Sequence, residues 1–215
     1  MSMNMNKNEN MNTNKNKNEQ SADRERAAME EMFSAMGLDL GTVESTVNEI
    51  LPGLAMYVRD VNLNAACAEA YKPEMFLLER GFTDASARVM GMKTTHRITI
   101  LSNHMADLSE YEHGTNWQLF VANHHAHFKV LDVYEYQGKT QILLLHLPDD
   151  ERWKIFRSFK LKLENQLVEE SRRRFENKCE QAVIPELATE EWLERCKDPI
   201  GMDNDGNLYD VEEMW

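Results

Sequence analysis

Cysteine is scarce in this chain of 215 residues, which has only Cys67, Cys179 and Cys196. An odd number of thiols in helix-like contexts excludes a disulfide framework as the source of stability, and points to the cytoplasm. Long apolar runs are absent as well. The longest aliphatic stretch, Ile142 to Leu145, is far too short to span a bilayer, and the polar N-terminus has no apolar signal segment, so no membrane association is expected. Gly-x-Ser-x-Gly, Gly-x-x-x-x-Gly-Lys-Ser/Thr, Gly-x-Gly-x-x-Gly, Cys-x-x-Cys and His-Glu-x-x-His are all missing. Their absence counts against hydrolases, nucleotide enzymes and zinc ribbons, and no cofactor is expected beyond a divalent metal as an alternative.

Positive charge is also in short supply. With 24 Lys and Arg against 37 Asp and Glu, the net charge of −13 opposes general binding to nucleic acid. The charges are partly segregated: residues 152–178 hold nine basic and four acidic side chains, whereas residues 179–215 hold two basic and eleven acidic ones. Mutual neutralisation of the two segments is the expectation.

What is present reads as an Asn-rich tail followed by one domain. Asn occupies every even position from Asn4 to Asn18, and a tract so poor in aliphatic side chains predicts a disordered segment over residues 1–20. The rest, 21–215, reads as a single α+β domain in four parts: helical over 21–95, sheet over 96–147, helical over 148–198 and an acidic end over 199–215. Met29, Met32, Phe33 and Met36 recur at helical spacing between Ser21 and Gly37, and Val43, Val47, Ile50 and Leu51 define a second helix. Glu74 to Arg80 reads as a short helix after Pro73. From Arg97 the pattern becomes extended. Strands near Ile98–Leu101, Trp117–Ala122, Ala126–Tyr136 and Thr140–Leu147 predict a central antiparallel meander of about four strands, packed by the N-terminal and C-terminal helices. Helices are expected from Asp149 through Phe156, from Leu163 to Gln181, and after a Thr189 cap.

All seven histidines lie between His96 and His146. Imidazoles ligate metals, move protons or simply sit on strands and turns. His104, Asp107 and His113 share the one long polar loop and are the catalytic candidates. His104, His113, His125, His127 and His146 are the metal candidates, with His125 and His127 on one face if both lie in a strand. Asp132 faces the other way in a regular strand. Asp203, Asp205, Gly206, Leu208 and Glu212 fit part of a calcium loop, but Gly201 stands at its leading position, so a turn over Asn204–Asn207 explains them as well.

These features lead to the expectation of a non-enzymatic cytoplasmic protein with an acidic surface that binds a protein partner, one with a basic nucleic-acid-binding groove fitting best. The Met-rich face of Met29, Met32, Phe33 and Met36 is the candidate contact. One alternative is a metal-dependent enzyme. It gains ground if three of His104, Asp107, His113, His125, His127 and His146 converge. The other is a nucleic-acid binder using Arg172, Arg173 and Arg174 with Trp153, Phe156 and Phe159.

Overall fold

The computed structural model describes Arg24 and residues 26–158, 160–161 and 163–212. The Asn-rich tract and Phe159 lie outside the described residues. Two compact units are present, one up to Val47 and one from Asn48 onward. In the first, helix α1 covers residues 26–35 and leads through Gly37, at φ +74°, to α2, Leu40–Ile50, whose start lies in this unit. Asp39 caps α2 by accepting from the Thr42 N–H at 2.8 Å. Phe33 is buried, whereas Met29, Met32 and Met36 are each more than 40% exposed.

The second unit is built on β1 (Ala55–Val61), α3 (Ala65–Ala70), β2 (Phe76–Glu79), β3 (Thr83–Ser86), β4 (His96–Ser102), β5 (Ala106–Asp107), β6 (Leu119–Ala122), β7 (Ala126–Tyr136) and β8 (Lys139–His146). A 3-10 helix over Glu151–Arg157, then α4 (Glu164–Cys179) and α5 (Glu190–Arg195), complete it. The eight strands run in the order β2-β7-β8-β4-β1-β3-β6-β5, with β4 parallel to β8 and the other pairs antiparallel.

This overturns the expected four-strand antiparallel meander between terminal helices. The sheet is mixed, and half of its strands come from segments not read as extended. Phe76–Glu79 is a strand, not a helix, because its four main-chain positions pair with Lys129–Ala126 of β7 and bury Leu77 and Leu78. In so short a segment, tertiary pairing outweighs helical spacing. Nor does the Asn123–His125 turn join neighbours. His125, at φ +61°, sends the chain from β6 on one flank of the sheet to β7 on the other.

Alternate residues of the central strands fill the core. Ile98 and Ile100 of β4, Ile142 and Leu144 of β8, and Phe128 and Val130 of β7 are completely buried in one cluster. A second cluster joins Trp117, Leu119 and Val121 to Trp192 and Cys196 at α5. Helix α4 is fixed along β7 by polar pairs: Lys129 with Glu164, Asp132 with Arg172, Tyr134 with Glu176, and Tyr136 with Glu180. A bulge between Val130 and Asp132 makes this possible, since one extra residue brings Asp132, Tyr134 and Tyr136 onto the face that Lys129 occupies.

Candidate functional site

The parallel register of β4 and β8 sets Leu101 beside Leu145, and so delivers Ser102 and His146 together at the ends of two central strands. Ser102 Oγ lies 2.9 Å from His146 Nδ1 and accepts from the His104 N–H at 3.2 Å. The His104 ring then stacks on His146, with centroids 3.9 Å apart and 26° between planes, while Phe128 covers the other side at 4.9 Å. His146 is only 1% exposed. Its Nε2 has no hydrogen-bond partner and faces Asp149 Oδ1 at 3.4 Å.

Asn103 determines the protonation of His104. Its amide nitrogen donates to the carbonyls of Glu49 and Pro52, so its Oδ1 is the atom that meets His104 Nδ1 at 2.9 Å. An oxygen there requires a proton on Nδ1, which leaves the lone pair on Nε2. Burial lowers the His104 pKa, and His146 beside it adds to the effect, outweighing Asp149, the Leu147 carbonyl and Glu49. For Asp149, burial acts to raise the pKa. The contact with His146 and the charges of His146, His104 and His127 outweigh it and hold the carboxyl below its ordinary value.

His104 and Asp149 border a cleft of about 650 Å³. Phe82, Leu108 and Val121 give it apolar walls, and Arg195 stands in it paired with Asp84 at 2.7 Å. Arg195 also lies over the Trp117 ring at 5.7 Å.

The other sequence candidates do not join this site. Asp107 is exposed, and its carboxylate accepts from the hydroxyl and N–H of Ser109, which hold its pKa down. His113 is exposed elsewhere in the same loop. His124 and His125 meet each other at the turn, Nδ1 to Nδ1 at 2.6 Å. His127 stacks on Trp153 at 4.6 Å and 14°, so it is separated from His125, which the turn conformation removes from the strand. The Asp203 carboxylate accepts from the N–H groups of Asp205 and Asn207 and from the Asn207 amide, so it organises the C-terminal turn. Of the six groups whose convergence in threes would favour a metal-dependent enzyme, only His104 and His146 meet, which corrects that alternative in the form drawn from the loop. The third member, Asp149, reads in the sequence as a helix-opening acid. Asn103 reads in the sequence only as a turn residue that organises the polar loop, and Ser102 and Arg195 carry no local signal.

The basic segment is largely neutralised. Arg172 pairs with Asp132, Arg173 and Arg174 pair with Glu170, and Lys154 and Arg157 pair with Glu212. Arg173 and Arg174 share the one Glu170 carboxylate and remain 67% and 56% exposed, so the pairing lowers the positive charge of this face without covering it.

No family model and no curated protein matches the chain. Among solved structures it is similar to the type III effector XopAI from Xanthomonas axonopodis pv. citri, with 14% identity, a TM-score of 0.40, and 44% of this chain and 42% of that one covered. The ADP-ribosyltransferase HopU1 of Pseudomonas syringae pv. tomato gives 14%, 0.38, 44% and 46% in the same terms. Exoenzyme S from Pseudomonas aeruginosa, in complex with a human 14-3-3 protein and bound to carba-NAD, gives 15%, 0.39, 59% and 62%. The chain thus spans less than half the length of the first of these. The expectation of a non-enzymatic interaction protein is not carried forward beside these neighbours, two of which are an ADP-ribosyltransferase and a carba-NAD complex. At such TM-scores no residue role or substrate passes from these proteins to this one.

Proposed function

We propose that the protein is an enzyme acting on a small molecule in the cleft, with His104 as proton acceptor and Arg195 as anchor for an anionic group. The observation that supports this is the meeting of His104 and Asp149 in an apolar-walled cleft that also holds Arg195. His104 starts neutral, with its Nε2 lone pair available, and Asp149 stabilises the imidazolium that forms when the proton arrives. Asp84 holds the guanidinium of Arg195 from one side, and its remaining N–H groups suit a carboxylate or phosphate. Phe82, Leu108 and Val121 call for a flat or apolar body on the same molecule.

Titration of the full chain, followed by tryptophan fluorescence, tests the reading because Trp117 lies against Arg195. Exoenzyme S holds carba-NAD, so NAD is the first probe, followed by ADP-ribose and small aromatic carboxylates, with nicotinamide release as the first turnover assay. The expected result is saturable binding that Arg195→Gln weakens about tenfold or more, and turnover that His104→Gln abolishes. Ligands that bind equally well to Arg195→Gln would place the site elsewhere. A protein partner also stays a proposal for this chain, tested by co-elution with purified candidates.

A further inference from the structure

We infer that His104, His146 and Asp149 form a binding site for one divalent transition-metal ion that prefers imidazole ligands, zinc foremost, with a coordination position open to the cleft. One ligand atom from each residue lies within 4.8 Å of the others. The 3.4 Å between His146 Nε2 and Asp149 Oδ1 is the edge of a tetrahedron with bonds of about 2.1 Å, the usual distance for zinc to nitrogen and carboxylate oxygen. Asp149 is 41% exposed, so its side chain has room to take up the remaining adjustment.

A second observation is the buried Nε2 of His146. A ring nitrogen this deeply buried ordinarily has a well-formed hydrogen bond, whereas Nε2 has only the Asp149 carboxylate at 3.4 Å, outside good hydrogen-bond geometry. Its direction is fixed from behind by Ser102 at Nδ1, and His104 is fixed likewise by Asn103, which two backbone carbonyls hold in turn. Ligand histidines have this arrangement, one nitrogen anchored and the other presented. Two neutral imidazoles and a carboxylate suit zinc, cobalt or nickel better than calcium or magnesium, which favour all-oxygen sites. His104 and Asp149 are both exposed on the cleft side, which supplies the path of entry and the open position.

This inference goes beyond the proposed function and does not rest on it. The metal-free protein is the state in which His104 accepts a proton; with an ion bound, that lone pair is occupied, so zinc inhibits any His104-dependent turnover.

The test uses the full chain, untagged, dialysed against EDTA and then against metal-free buffer. Calorimetric titration with zinc chloride, and cobalt(II) visible absorption as a second readout, should give saturable binding of one equivalent with tetrahedral-type cobalt bands. His104→Gln and Asp149→Asn, both at exposed positions and checked for native circular dichroism, should each weaken binding about tenfold or more. The double variant His124→Gln/His125→Gln should bind like the parent. Absence of saturable binding, parent-like affinity in both His104→Gln and Asp149→Asn, or loss confined to the turn variant would each overturn the inference. None of these outcomes bears on whether the Arg195 end of the cleft binds an anion.

Discussion

Lys129 Nζ lies 2.9 and 3.0 Å from the two carboxylate oxygens of Glu164, and both side chains are only 2% exposed. The pair joins the middle of β7 to the first turn of α4, and Glu164 also accepts from the Leu161 N–H at 3.0 Å. Glu74 approaches the same ammonium at 3.0 Å from the exposed side.

Removing one partner is therefore costly. Lys129→Met leaves a buried carboxylate without its counter-charge and should reduce the unfolding free energy by about 3–5 kcal/mol. The double variant Lys129→Met/Glu164→Leu should recover most of that loss, since an apolar pair of similar volume avoids desolvation altogether. Urea denaturation of the parent, the single variant and the double variant checks this. Equal stability of the single variant and the parent would show that the pair carries no net coupling.

A pH dependence follows from His127. Burial lowers its pKa below the ordinary value of about 6.5, and burial does the same at His96. A depressed histidine pKa means that the unfolded chain binds more protons as the pH drops below about 6.5, so the stability present above that value is lost on acidification. Tm should thus fall between about pH 7.5 and 5.5, and His127→Phe, which keeps a ring against Trp153, should flatten that fall. A parallel pH profile in the variant would rule out His127 as a source.

Gly91 tests a close backbone approach. Its N–H donates to the Ala182 carbonyl at 3.2 Å, and a Cβ placed there would come within 2.1 Å of the Gln181 carbonyl oxygen. Gly91→Ala should therefore separate the chain after α4 from the loop before β4, at a cost of about 1–3 kcal/mol. Thermal melts of the two proteins give the comparison, and an unchanged Tm would mean that the contact yields without strain.

Read from residues alone, α1, α2 and α4 are visible because their apolar spacing lasts for several turns and local signals end the first two: Gly37 after one and Pro52-Gly53 after the other. The β7–β8 hairpin is visible for a similar reason, since Gln137 and Gly138 form a tight turn between long alternating strands. Asp132 shows where this reasoning stops. The bulge at Leu131 reverses its facing, and no period-2 pattern announces one inserted residue.

The sequence by itself determined the charge balance, the helices with sustained periodicity, the hairpin, and the region in which the imidazoles would be found. Strand order, the parallel pairing of β4 with β8, and the convergence of His104, His146 and Asp149 were decided only by the tertiary structure. These three residues come from just past the end of one strand, the end of its parallel neighbour and the turn after it, and the 41 positions between His104 and His146 carry no mark of their meeting. Local preferences act over a few residues, whereas long-range pairing is selected by burial of the whole sheet, and that cooperative term has no signature at any single position.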